Sequence, residues 1–342
     1  MTLAAVHGQQ RAVDALRAAL KTRTAHHAYV FAGPVGVGKE LTAIGFAQAL
    51  ACREKPGEGC GECSTCSRIS RRGHPDVNWV MPQEQMIARG LASRSEFSAT
   101  PSREIRVEQI RKLMERLALR PLEATAKVAI LVCADQMNAQ AQNAFLKTLE
   151  EPPSGTVLIL IASSPELLLP TIRSRCSKIQ FGPLPVDFIA GKIQAERELD
   201  SATAHLVAVM SEGSLSRALD LDVEALGRRK DVIALFEEAV GLQPAPMLKF
   251  AETFGASRER AEEALAILRV WFRDLLSIRS GSARLNYSDL HDLAEQSAAG
   301  KSESAIHTRW TLLERAMEAI SEKNGAPRLQ LERMLIEMGA AK

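Results

Sequence analysis

Residues Gly33 to Glu40 read GPVGVGKE, one residue short of a phosphate-binding loop. The P-loop pattern G-x-x-x-x-G-K-[ST] gives each part a task. Glycines let backbone N–H groups crowd phosphate oxygens, the lysine neutralises them, and the final hydroxyl ligates Mg²⁺. Here Gly33, Gly38 and Lys39 stand in register with Gly36 between them, and Glu40 takes the place of the hydroxyl. Thr42 does not replace it, because two residues along a helix turn a side chain by about 200°. A carboxylate at this point either pushes a triphosphate away or offers Mg²⁺ a hard oxygen of its own. Both readings stand on the loop alone.

Outward from the loop, the apolar run AYVFA (28–32) precedes it as a strand, and QRAVDALRAALK (10–21) sets Val13, Leu16 and Leu20 on one helical face. Further strand-like runs are VNWVM (77–81), KVAILVC (127–133), TVLILIA (156–162) and SKIQF (177–181), with helical patterns between most of them. Alternation of this kind builds a parallel sheet covered on both faces. Beyond about residue 184 only amphipathic helical segments follow, among them EEALAILRVWFRDLLSI (262–278) and RWTLLERAMEAISEK (309–323). Gly213, Ser214 and the charged GRRKD stretch (227–231) predict a break near residue 225, and the polar, Arg- and Ser-rich 83–103 segment reads as a surface insertion.

At 342 residues the chain exceeds the comfortable size of one core, so two or three domains are expected. Its longest apolar runs, VAILVCA and VLILIA, fall far short of a membrane span. MTLAAVHGQQR at the start has neither the basic nor the apolar part of a secretory signal, so a cytoplasmic protein with no membrane partner is the expectation. With 43 Lys+Arg against 41 Asp+Glu, the charge predicts no global attraction to nucleic acid. Any such contact is local.

Cys52, Cys60, Cys63 and Cys66 follow the pattern C-x7-C-x2-C-x2-C, with Gly57, Gly59 and Gly61 interleaved. Four soft thiolates this close suit a tetrahedral Zn²⁺, and four sulfurs leave no open position for water, so the metal is expected to be structural. Free thiols and disulfides are the alternatives; a reducing compartment disfavours disulfides. Cys133 and Cys176 stand alone and read as small buried hydrophobes.

Several stretches now converge. HHAYVFAGPVGVGKE, the cysteine cluster, HPDV, IRVEQIRKL and NAFLKTLEEPPSGTVLILIASSPELLLPTIRSRC together closely resemble the bacterial clamp-loader subunits of the AAA+ superfamily, strongly over residues 5–185. Weaker echoes continue in GSLSRALDL (213–221), WFRDLL (271–276) and PRLQLERML (327–335). The resemblance implies an α/β AAA+ P-loop domain with a parallel sheet (1–183), a small helical lid domain (184–225) and an all-α collar domain for oligomerisation (226–342). It also implies partners: other loader subunits (gamma/tau and delta), the sliding clamp and primer-template DNA, within a replicative DNA polymerase assembly.

Two kinds of subunit look alike in that family, one that hydrolyses ATP and one that does not. In the former, the strand after the insertion ends in an Asp for Mg²⁺ and a Glu for the attacking water. Counting forward from Lys127 and back from Asn143 puts Val132 and Cys133 at those positions. Valine has no oxygen to give, and cysteine is a poor ligand for a hard cation. Asp135 lies two positions beyond the pair. Glu40 and Val132/Cys133 thus depart from the pattern around the same metal, and losing those contacts is expected to stop hydrolysis and to leave ATP or ADP binding weak or absent.

The SRC element, Ser174-Arg175-Cys176, remains intact. By resemblance, Arg175 projects into a neighbour's ATP site, where a guanidinium that stays charged and forks onto phosphate oxygens acts in trans. Arg217 resembles a sensor arginine of the lid, one position later than an ATP-hydrolysing subunit has it; a solvated helix residue is the equal alternative. Ser163 falls at a strand end, as the first polar sensor or as a helix cap. Arg68, Arg71, Arg72 and His74 form a short basic run, read as a solvated face before a DNA surface. Trp271 and Phe272 read as core or interface. The first reading is therefore a hydrolysis-deficient loader subunit, with an ATP-hydrolysing motor subunit as the alternative and a zinc-dependent nucleic-acid-binding protein with a vestigial P-loop as the third.

Overall fold

The computed structural model describes residues 2–22, 24–124, 126–221, 224–240, 243–281, 285–321 and 325–340. The chain divides into two compact units, Met1–Pro185 and Val186–Lys342.

The first unit is built on five parallel strands: β1 (Ala28–Ala32), β2 (Val77–Val80), β3 (Lys127–Leu131), β4 (Thr156–Ala162) and β5 (Ser177–Gln180), in spatial order β2-β3-β4-β1-β5. β1, β3 and β4 are buried at every residue. Continuous apolar runs rather than alternating ones belong to strands covered on both faces. On one face Val30, Leu131 and Leu160 pack with Ile110 and Leu113 of α5 (Val107–Ala118) and Phe145 of α6 (Ala139–Glu150). On the other, aromatic side chains meet: Tyr29 lies edge to face with Phe46 of α2 (Lys39–Ala51) at 5.3 Å, and Phe31 lies 5.3 Å from Phe181 with the rings tilted. α1 (Gln10–Lys21) buries Val13 and Leu16 as its spacing predicts.

The chain leaves β1 through α2 and α3 (Ser64–Ser70), crosses to the edge strand β2, and returns inward through β3 and β4 before closing on β5. That reversal of direction puts the loop after β1 outside the carboxyl ends of the strands, where open α/β sheets take their ligands. The 83–103 segment contains α4 (Gln83–Ala88) and a short 3₁₀ turn at Arg94–Glu96, and no residue of either is buried. α7 (Pro170–Arg173) precedes β5. The strand expected over 127–133 stops at Leu131: Cys133 takes a left-handed conformation, φ 55° and ψ 47°, and opens a 3₁₀ turn at Ala134–Gln136.

Among the described residues the second unit is helical: α8 (Val186–Arg197), α9 (Ser201–Met210), α10 (Leu215–Asp220), α11 (Glu224–Ala239), α12 (Pro244–Phe254), α13 (Arg258–Arg279), α14 (His291–Ala298), α15 (Glu303–Ser321) and α16 (Pro327–Ala340). α13 is its axis, packed against α9, α11, α14, α15 and α16. Trp271 and Phe272 are core residues of this helix, and the Trp271 indole N–H donates to Glu237 at 2.9 Å. Arg269 grips Glu212 beyond α9 (2.7 Å) and Glu314 on α15 (3.0 Å). Asp274, wholly buried, accepts the backbone N–H groups of Asn286 and Tyr287, each at 2.8 Å. GRRKD lies inside α11; the two residues before that helix, 222 and 223, lie outside the described residues, as do 322 and 323 of the helical segment expected to reach 323. Among the described residues no helix is long and apolar enough to cross a membrane.

Candidate functional site

The phosphate loop is shaped by its glycines. A Cβ on Gly33 would stand 2.3 Å from the carbonyl oxygen of Phe181, so the loop passes the end of β5 at a distance only glycine permits. Gly38 is left-handed at φ 98°, which a β-carbon would strain. Gln9, unremarked in the sequence, staples the loop from below: its Nε2 donates to Val37 O (3.2 Å) and Gly182 O (2.7 Å), and its Oε1 accepts from Gly182 N (3.2 Å).

Lys39 is buried and turned inward, its Nζ donating to Gly33 O and to Pro34 O, the latter at 2.5 Å. Burial lowers its ammonium to about 8, against the opposing pull of Asp135 and Cys133. Thr42 is equally committed: its hydroxyl donates to Gly38 O within the helix (2.9 Å).

Glu40 is held from two sides. Arg72, which follows α3, donates to one carboxylate oxygen, and Arg89, which ends α4 in the 83–103 segment, donates to the other at 2.7 Å. Burial would raise the Glu40 carboxyl, but the Arg89 and Arg72 guanidiniums overcome it and hold the group below its ordinary value. The carboxylate is ionised and already neutralised, which differs from both readings its position first allowed. Arg72 also stacks over Trp79, 5.1 Å from the ring centroid.

Val132 is buried and its backbone N–H is taken by Val80 O. The Cys133 thiol is pushed up chiefly by burial, with Asp135 and Glu40 adding and Arg89 and Lys39 opposing. That list of neighbours puts both departures from the motif in one electrostatic neighbourhood. Asp135 Oδ2 accepts the backbone N–H groups of Ser163 (2.9 Å) and Ser164 (2.8 Å), so this acid ties the end of β4 to the turn after β3. Ser163 contributes its backbone there, and its exposed side chain caps no helix.

The four cysteine sulfurs lie within 4.8 Å of one another and could hold a metal ion. Zn–S bonds of about 2.3 Å in a tetrahedron require sulfurs about 3.8 Å apart. Cys52–Cys60, Cys60–Cys66 and Cys52–Cys63 stand at 3.7, 3.8 and 3.9 Å. Backbone N–H groups of Lys55, Cys63 and Cys66 point at the sulfurs of Cys52, Cys60 and Cys63. The thiols disagree about charge: backbone N–H groups and neighbouring thiols bring Cys52 to about 7 against its burial, whereas burial pushes Cys66 up to about 12. Four thiolates together call for a cation.

The basic run after the cluster is largely engaged. Arg68 forks onto Glu123, Arg72 donates to one oxygen of Glu40, and His74 Nδ1 accepts the backbone N–H of Asp76 (3.1 Å), leaving Arg71 exposed. Arg175 stands apart from the loop, partly exposed, its guanidinium paired with Glu150 (2.9 Å) and with Thr171 O (3.0 Å). It lines an open cleft with His26, His27 and Ser177. Burial pushes the adjacent Cys176 thiol up to about 12, and the side chain packs, partly buried, against the core. Arg217, on α10, pairs with Glu212 at 2.7 Å.

A parallel sheet in this order, with a glycine loop and lysine at the end of β1, defines an α/β chain of the P-loop type. Residues 8–185 match the family described as DNA polymerase III, delta subunit. DNA polymerase III subunit delta' of Bacillus subtilis (strain 168) is 31% identical over 305 residues, covering 87% of this chain and 86% of the relative. The delta' subunit of Pseudomonas aeruginosa is 39% identical over 174 residues, 50% of this chain and 48% of the relative. DNA polymerase III subunit tau of Bacillus subtilis is 30% identical over 234 residues, 67% of this chain and 38% of the relative. The chain belongs to the delta' family of DNA polymerase III clamp-loader subunits.

Proposed function

We propose that this chain completes a clamp loader without hydrolysing ATP itself, and lends Arg175 in trans to a neighbouring subunit's ATP site while the loader places a sliding clamp on primer-template DNA. One observation carries the reading: each position from which an active cleft would hold Mg²⁺ or orient water is filled by a group that cannot. Glu40 is neutralised by Arg72 and Arg89, Val132 is buried hydrocarbon, and Cys133 is a protonated, soft sulfur. Phosphoryl transfer depends on positioning and charge neutralisation around that metal, so the cleft lacks the means.

Arg175 supports the other half. It is partly exposed, lines an open cleft away from the phosphate loop, and is paired with a carboxylate that is itself exposed, a pairing a phosphate can replace. The proposed partners are gamma/tau and delta subunits, the clamp, and DNA reached through the complex; similarity to delta' and tau subunits supports a place in such an assembly. The four cysteines serve as a structural Zn²⁺ site, closed to substrate because all four positions are sulfur. Residues 1–183 act as the AAA+ domain, 184–225 as its lid and 226–342 as the collar; the setting is the cytoplasm.

The similarity to tau keeps a motor subunit as the second reading. Turnover by the purified chain separates the two. No Mg²⁺-dependent ATPase above a Lys39→Ala control is expected; steady hydrolysis that the Lys39→Ala change abolishes favours the motor.

A further inference from the structure

Arg72 and Arg89 reach Glu40 from 32 and 49 residues away in sequence, one behind the cysteine cluster and one from the 83–103 segment. Two guanidiniums on one carboxylate is an anion site with its anion supplied by the chain. We propose that Arg72 and Arg89 form a phosphate-binding subsite at the mouth of the loop, and that the Glu40 carboxylate fills it from within. The ligand class is a polyphosphate chain, free or on a nucleoside, taken without a metal ion.

Three features support this. The guanidinium fork fits a carboxylate and a phosphate by the same geometry, so a site that grips Glu40 on both oxygens is shaped for either. The cations outnumber the anion: Arg72 and Arg89 both donate to Glu40, and Asp135, the other acid of this neighbourhood, has its Oδ2 committed to the Ser163 and Ser164 N–H groups. Arg72 is also fixed independently of Glu40, its guanidinium stacked on Trp79, so removing the carboxylate leaves at least one fork in place. In an active P-loop Mg²⁺ neutralises the terminal phosphates; here two guanidiniums stand where that charge is needed, behind a plug. The inference concerns binding and not turnover, so it stands or falls apart from the Arg175 reading.

Calorimetric titration of the full chain with inorganic tripolyphosphate, and separately with ATP, both in buffer free of Mg²⁺ and without chelator, tests it. Glu40→Ala is expected to bind tripolyphosphate at least tenfold more tightly than the unchanged chain, and the further changes Arg72→Ala and Arg89→Ala to cancel the gain. A matching gain with ATP extends the site to nucleotides, and a gain with tripolyphosphate alone restricts it to the free anion. Melting temperature and metal content confirm the fold, and Glu40→Gln takes over if the alanine variant does not fold. The proposal is overturned if the unchanged chain binds as tightly as the variants, or if the folded Glu40 variant gains less than tenfold.

Discussion

Asp76 sits buried in HPDV and commits both carboxylate oxygens to three backbone N–H groups, those of Leu122 (2.7 Å), Glu123 (2.8 Å) and Ala124 (2.8 Å). It therefore holds the chain entering β3 against the chain entering β2. An exchange to alanine leaves those donors without their acceptor, and a loss of about 3 kcal/mol in urea unfolding is expected. The pH dependence has a definite sign. Burial raises the Asp76 carboxyl, but the three N–H groups and His74 outweigh it and hold it below its ordinary value. The unfolded chain consequently binds the proton first on acidification, so this contribution is whole above the ordinary aspartate range and disappears as pH falls through the depressed value. Wild type is expected to lose stability across that acid interval more steeply than Asp76→Asn; parallel curves for the two proteins count against the assignment. At this scale the sequence showed residue types but not partners. Glu40 was visible as a departure from the loop pattern, whereas the two arginines that neutralise it come from distant segments and no local spacing announces them. Gln9 and Asp76 escaped for the same reason.

The elements read from periodicity correspond to the strands and helices found, because an apolar run such as TVLILIA has only one low-energy place, a central strand buried along its whole length. The exception is instructive. KVAILVC continues the apolar pattern through Cys133, yet the strand pairing of β3 ends at Leu131 and Cys133 turns left-handed, since the chain must leave the sheet toward α6 there. Backbone reversal carries no hydrophobic signal. The cysteine element was the most readable of all, since its spacing alone brought four sulfurs together, and Cys63 even caps α3 by accepting the Cys66 N–H. Because that element joins α2 to the helix preceding Arg72, stripping its metal should be felt at the loop. One Zn²⁺ per chain is expected to be released to a strong chelator, measured with a colorimetric indicator, together with a fall in melting temperature while most helical circular dichroism persists. A chain that folds and melts identically without metal contradicts a structural role.

Across the whole molecule, the two units divide the work: the sheet carries the loop, the cysteines and Arg175, and the helical unit gathers around α13. The parallel sheet and the start of the helical unit could be anticipated from the alternation of patterns and its end near residue 184. The subdivision near residue 225 could not be followed in the same way, because residues 222 and 223 lie outside the described part of the chain. What remains is whether the subunit proposed not to hydrolyse ATP supplies chemistry to its neighbour, for which an arginine in trans is worth roughly 10³ to 10⁵ in rate. The decisive experiment rebuilds the loader with Arg175→Ala in this chain alone and measures its DNA-stimulated ATPase against the unchanged assembly. A drop of at least tenfold, with assembly intact by size-exclusion chromatography, is the expected result; an undiminished rate from the intact complex would remove Arg175 from catalysis.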